Sequence, residues 1–176
     1  MKTMSVVFSK STSPYGVFSW LIMWAEKTPY SHVSIRIMDE ETQLPVYYQA
    51  SHTMVNCMGE PEWLSQEQII YKFDYQVDDS IQKSVKAFSI GKLGVGYGVL
   101  SVFGLACVQI MKCFGKTINN PFKEVGATYV CSQFVAALLE NANVPALEQI
   151  DLDNVTPADL YNIVKDLPLT LLANKV

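Results

Sequence analysis

The stretch Thr128-Tyr129-Val130-Cys131-Ser132-Gln133-Phe134-Val135-Ala136-Ala137-Leu138-Leu139 decides how this chain is read. Val130, Phe134, Ala137 and Leu138 recur at helical spacing, which predicts an amphipathic helix from Tyr129 to Asn141 with one face turned to a core. Cys131 then stands just inside the helix start. Backbone N–H groups there lack partners within the helix, and the helix dipole is positive at that end, so negative charge on a sulfur is stabilised. A cysteine so placed is a candidate nucleophile, although a lone cysteine near a helix start more often serves as a small buried apolar residue.

A nucleophilic thiol needs a base, and the 176 residues contain only two histidines, His32 and His52. His32 opens the run His32-Val33-Ser34-Ile35-Arg36-Ile37-Met38, whose alternation predicts a half-buried strand with the imidazole at its mouth. His52 reads as an exposed residue of a later strand. An imidazole works best when its second ring nitrogen is held by an acceptor. Gln49, seventeen residues after His32 on the expected neighbouring strand, is the candidate orienter, with Ser51 as the alternative. Each of these signals is weak alone: a strand-end histidine is usually a surface or satisfied core group.

Working outward, Ser5–Ser9 reads as a strand, Pro14 to Lys27 as a helix, and Pro45–Ser51 as the hairpin partner of the His32 strand across an Asp39–Gln43 turn. Two more β segments are expected near His52–Cys57 and Gln68–Tyr75, joined by a polar connection through Glu60-Pro61. Beyond Asp78 the pattern becomes helical: a capped helix carrying Ile81, Val85, Phe88 and Ile90, an apolar helix over 97–114, a polar loop from Lys116 to Lys123, the Cys131 helix, and a last helix opened by Thr156-Pro157-Ala158-Asp159. Strands followed by helices give an α+β class, and the length suits a single domain over 1–176.

Composition removes several function classes. Thirteen basic against seventeen acidic residues, a net charge of −4, leave no footprint for nucleic acid. Apolar residues at 49% exclude a disordered chain. The four cysteines, Cys57, Cys107, Cys113 and Cys131, form no C-x-x-C pair and lack zinc-ligand spacing with the histidines, so we expect reduced thiols and no metal or other cofactor. Cys57, Cys107 and Cys113 read as packing residues. Between Lys92 and Lys112 lie nineteen uncharged residues, near the span of a bilayer, but Gly94, Gly96, Gly98, Gly104 and Gln109 interrupt them. We read this segment as a buried core helix in preference to a membrane-facing one. The N-terminus lacks the apolar core of a secretion signal, which favours a cytoplasmic or virion- or host-associated protein.

In combination, Tyr30-Ser31-His32-Val33-Ser34-Ile35, Val46-Tyr47-Tyr48-Gln49-Ala50, Gly94-Val95-Gly96-Tyr97-Gly98, the Cys131 stretch and Val155-Thr156-Pro157-Ala158-Asp159-Leu160-Tyr161 resemble the circularly permuted papain-like hydrolases. These are the permuted branch of the NlpC-type peptidase superfamily, with the lecithin:retinol acyltransferase-like proteins among its relatives. The resemblance runs from about residue 5 to residue 165 and follows the family's chain order of His, polar residue, Cys. It implies a permuted papain-like fold, an antiparallel sheet packed against helices with the nucleophile at a helix N-terminus. Carried over, Cys131 is the nucleophile, His32 the general base and then acid, Gln49 the third polar residue, and Tyr97 a pocket or oxyanion residue. The family often has an acidic residue or histidine where Gln49 stands, and aspartate where Gly98 follows Tyr97.

The implied activity is that of a cysteine hydrolase, an amidase or peptidase or else an acyl-ester hydrolase or acyltransferase, working through an acyl-enzyme. Its expected partners are a peptide, a cell-wall peptide or an acyl lipid. The competing reading is a non-catalytic binding or virion-type structural module that retains the fold, motivated by Gln49 and Gly98.

Overall fold

Alternation of apolar and polar residues along the first half of the chain builds one sheet with two different faces. The computed structural model describes residues 1–12, 17–51, 53–113, 115–116, 118–119, 121, 128–144 and 150–171. Its strands are β1 (Lys2–Ser11), β2 (His32–Met38), β3 (Pro45–Ser51), β4 (Met54–Gly59), β5 (Glu67–Val77), β6 (Gly96–Tyr97), β7 (Thr128–Tyr129) and β8 (Thr170–Leu171). Its helices are α1 (Val17–Glu26), α2 (Glu60–Gln66), α3 (Asp79–Lys92), α4 (Val99–Cys113), α5 (Cys131–Asn141) and α6 (Pro157–Val164).

The strands run in the order β7-β6-β4-β3-β2-β1-β5-β8. The central five are antiparallel, as expected, with β2 and β3 forming the anticipated hairpin. The two rims are parallel, β6 beside β7 and β5 beside β8, so the sheet is mixed and the fold α+β. The expectation of a wholly antiparallel sheet is corrected at these rims, where two-residue strands are too short to leave a sequence pattern.

Met4, Val6, Phe8, Val33, Ile35, Ile37 and Ala50 face α5 and, with Phe134, Val135, Leu138 and Leu139, form the main apolar core. Helices α3 and α6 flank α5 on this side. Asp78 caps α3 by accepting from the Ile81 N–H at 2.9 Å. Thr156 caps α6 by accepting from the Asp159 N–H at 3.2 Å, with Pro157 in the first turn as expected.

Three local expectations change. The connection through Glu60-Pro61 is helix α2, which packs Trp63 against Tyr47 and Val7 on the second face of the sheet. Its start signals are real, with proline and two glutamates in the first turn, but seven residues are too few for periodicity to show. Tyr97 lies in β6 rather than in the apolar helix, because the Gly98 carbonyl accepts from the Val102 N–H and the helix starts only at Val99. That helix is one-sided: Ser101, Val102 and Val108 are buried while Val99 and Leu100 are exposed. Among the described residues no helix is long and apolar enough to cross a membrane. Pro14, His52 and much of the Lys116–Lys123 loop lie outside the described residues.

Candidate active site

One end of the sheet gathers the polar residues. Antiparallel pairing brings the start of β2 (His32), the end of β1 (Ser9), the end of β3 (Gln49), the start of β4 (Asn56) and the start of β5 (Glu67) to the same rim. Cys131, the first residue of α5, meets that rim from the apolar side, its sulfur 3.9 Å from the carbonyl oxygen of Ser31. Cys131, His32 and Gln49 are all buried.

The start of α5 is held by its own sequence. Gln133 accepts from the Val130 N–H at 3.2 Å and donates to the Asp153 carbonyl at 3.0 Å, while Ser132 donates to the Val155 carbonyl at 2.7 Å. Valine at the cap position supplies no acceptor, so the neighbouring Ser132 and Gln133 clamp the backbone at Cys131 to the segment that leads into α6. These contacts give Cys131-Ser132-Gln133 a structural meaning that the sequence reading did not assign.

His32 Nε2 lies 2.8 Å from Gln49 Oε1, and Trp63 Nε1–H donates to that same oxygen at 2.9 Å. Tryptophan can only donate, so the shared atom must be the amide oxygen. His32 therefore carries a proton on Nε2, and Nδ1 is the ring nitrogen left for Cys131. The Gln49 amide nitrogen donates to Asn56 Oδ1 at 3.2 Å, and Asn56 donates to Ser51 at 3.2 Å. Ser51, the alternative orienter, thus supports the chain of bonds from one step further out. Trp63 is fully buried and stacks on Tyr47 with ring centroids 4.1 Å apart, which fixes its indole N–H.

Burial by itself lowers the pKa of His32, but hydrogen bonding with Cys131 and the negative charge of Glu67, with a smaller part from the Gln49 bond, outweigh it and push the imidazole up to about 9. The imidazolium is thus the favoured form at neutral pH. Tyr97 is raised well above its ordinary value by burial and by the charges of Cys131 and Glu67, so its hydroxyl keeps its proton and remains a donor. Its ring packs with Val102, Val130 and Ile22 beside Cys131. The glycine after it has a steric cause: a Cβ at Gly98 would stand 3.2 Å from the Ser101 Cβ, so the first turn of α4 closes that position to aspartate without movement.

Two residues here were absent from the sequence reading. Trp63 was hidden in the unassigned helix. Glu67, 7% exposed, accepts from the Ser9 hydroxyl at 2.7 Å, and its polar neighbours Gln66 and Gln68 gave no sign of burial. Of the other cysteines, Cys57 is exposed rather than a packing residue and Cys107 is half-buried, while the Cys113 side chain lies outside the described residues. Cys57 sits in β4, paired with Tyr48 of β3, on a strand along which burial alternates. Among the described residues no three or more His, Cys, Asp or Glu side chains converge as a metal centre requires.

A solved structure, that of the metalloprotein YiiX (DUF1105) from Escherichia coli O157:H7, is similar to this chain. The likeness covers 99% of this chain and 97% of that one, with a TM-score of 0.50 and 18% identity, and it is a likeness of fold. No protein-family profile and no curated protein matches the chain.

Proposed function

We propose that this chain is a cysteine hydrolase or acyltransferase with a circularly permuted papain-like fold. The single observation that carries the reading is the placement of His32: Gln49 holds Nε2, and the ring also hydrogen-bonds with Cys131 at the start of α5. A histidine held by a neutral acceptor beside a helix-start thiol has the parts of a thiolate–imidazolium pair.

In this mechanism the Cys131 thiolate attacks an acyl carbon. Oxyanion charge develops near the first N–H groups of α5, and the Tyr97 hydroxyl, which stays protonated, is the candidate second donor. His32 then gives its proton to the departing amine or alcohol as the carbon–heteroatom bond breaks, leaving a thioester on Cys131. In the second half His32 takes a proton from water, hydroxide adds to the thioester carbonyl, and collapse releases the acid and the thiolate. With another acceptor in place of water, the same steps transfer the acyl group.

Substrate class divides between peptide-type amides and acyl lipids. Trp20 and Trp24 favour the second: both are exposed on α1, and their rings stack with centroids 6.3 Å apart. Ile22 on the same helix packs toward Val130 and Tyr97, so the helix that offers this aromatic pair also walls the site.

The test is acyl trapping. The protein is mixed with p-nitrophenyl acetate at pH 6, quenched in acid and mapped by mass spectrometry. A thioester on Cys131, absent from Cys131→Ala and greatly reduced in His32→Ala, is the expected result. Acetylation of the exposed Cys57 alone, at a rate indifferent to His32, would favour the non-catalytic module.

A further inference from the structure

A β-bulge decides where Glu67 points. Along β1 and β5 the pairing runs Phe8 with Tyr71 and then Ser9 with Ile69, so Ile70 is an extra residue on β5. Unbroken alternation from Tyr71 would set residues 69 and 67 on its own face, where Tyr71 meets Tyr30 and Tyr161. The extra residue, which packs against the main core, reverses that phase. Glu67 now pairs with Ser11 and shares the face of Ser9, whose own partner across the sheet is His32. The Ser9 hydroxyl closes the arrangement by donating to Glu67 Oε2 at 2.7 Å.

Building on the acyl-transfer reading, we infer that Glu67 is a positioning residue for that reaction, a bulge-placed carboxylate supplying the imidazolium of His32 with the negative charge that neutral Gln49 cannot. The side chains that face His32 come from four elements besides its own: Cys131 from α5, Glu67 from β5, Gln49 from β3 and Trp63, through Gln49, from α2. Tyr97 on β6 feels the same two charges as His32 and stays neutral. Cys131 and Glu67 are the two members of this set whose charge raises the pKa of His32. Once Cys131 is acylated its sulfur is neutral, and Glu67 alone remains to support a positive ring. Its contribution therefore matters most in the second half of the reaction, when His32 must draw a proton from water.

The inference is supported by a second property of the site. A buried carboxylate is costly unless it is hydrogen-bonded or close to a positive charge. Ser9 supplies one bond, the His32 imidazolium supplies the compensating charge, and the carboxylate in turn favours the charged form of His32. A glutamate kept at this rim for packing alone would gain more from glutamine, which keeps the shape and avoids the charge.

The experiment follows the His32 ring by NMR titration in Cys131→Ala, where the thiolate is gone, with and without Glu67→Gln; His52 is the only other histidine and serves as internal reference. The expected result is a His32 midpoint in Cys131→Ala that falls by about one further unit when Glu67→Gln is added, while Glu67→Asp restores part of the difference. In the Cys131 protein, the pH midpoint for hydrolysis of the acetyl-enzyme is expected to move down by a similar amount, with a plateau rate several-fold lower because the base is weaker. Ser9→Ala, which keeps the carboxylate but frees it, is expected to give a smaller downward shift and guards against misfolding of the glutamine variant. An unchanged His32 midpoint in both variants, with thioester formation intact, overturns the role of Glu67 and leaves the acyl-transfer reading standing. Failure of the unmodified protein to form any thioester on Cys131 overturns that reading, and this inference with it.

Discussion

The two faces of the sheet are made from the same strands and solve different problems. On the α5 side, β1 and β2 present Met4, Val6, Phe8, Val33, Ile35 and Ile37, an apolar surface that many similar side chains would satisfy. On the α2 side the intervening residues are Ser5, Val7, Ser9, His32, Ser34 and Arg36, with Gln49, Asn56 and Glu67 beyond them, and the polar ones other than Ser34 are joined by directional bonds. A buried polar group left without a partner costs on the order of 1–3 kcal/mol, so this face tolerates few arrangements. The candidate site lies where the two meet: Cys131 comes from the helix on the apolar side, and His32 from the open end of a strand on the polar side. The larger apolar core lies on one face and the bonded polar network, with a smaller apolar cluster, on the other.

The sharpest test of that division is His32→Ala. Loss of general acid–base assistance is expected to slow acetylation of Cys131 by about 10²–10⁴-fold, a loss larger than the accompanying change in stability accounts for. A companion pH series gives the sign. The His32 pKa is raised, so whatever its charged form contributes to stability is fully present below about 6.5 and is lost as pH rises through about 9. Acylation should show an alkaline fall near the same value. Variant and wild-type curves that coincide across this window would break the comparison.

The reverse experiment is made on the apolar face. Leu138→Ala removes a fully buried side chain from α5 and is expected to cost about 2–5 kcal/mol in urea unfolding, with acetylation per folded molecule close to wild type. A selective loss of chemistry with little loss of stability would show that the two faces are not separate in the way described.

Trp63→Phe sharpens the polar face. Phenylalanine can keep much of the stack on Tyr47 but removes the N–H that holds Gln49 Oε1, an expected loss of about 1 kcal/mol. The more telling readout is the acetylation rate, which should fall several-fold because Gln49 is freer to turn its amide nitrogen toward His32. Unchanged kinetics would mean that Asn56 alone suffices to orient the amide.

How much of this was legible in the sequence depends on the range over which each signal acts. The hairpin from His32 to Ser51 and helices α3, α5 and α6 follow from periodicity and caps contained within each segment. Cys131, His32 and Gln49 stood out through residue type, scarcity and chain order, and the structure brings all three together. Trp63 and Glu67 left no mark. One sits in a helix too short to display a period, and the other depends on a bulge, a one-residue change of pairing between strands about sixty positions apart. The rim strands escaped notice for the same reason, since two residues acquire a β identity only from their neighbours.

A last and smaller effect reaches the site from outside both faces. Thr156 caps α6 and exchanges bonds with Asp159, and the carbonyl just before it, that of Val155, receives the Ser132 hydroxyl from the first turn of α5. The cap of one helix thus sets the backbone that anchors the start of another. Thr156→Ala removes the capping oxygen and is expected to cost about 1 kcal/mol of stability, near the resolution of a careful denaturant series. Its value lies in the second measurement. If the Ser132 clamp passes the disturbance on, Cys131 shifts against the strand rim and acetylation slows by more than the stability change accounts for. If the rate per folded molecule is unaltered, Gln133 is enough to hold the helix start, and the geometry of the site belongs to the polar face alone.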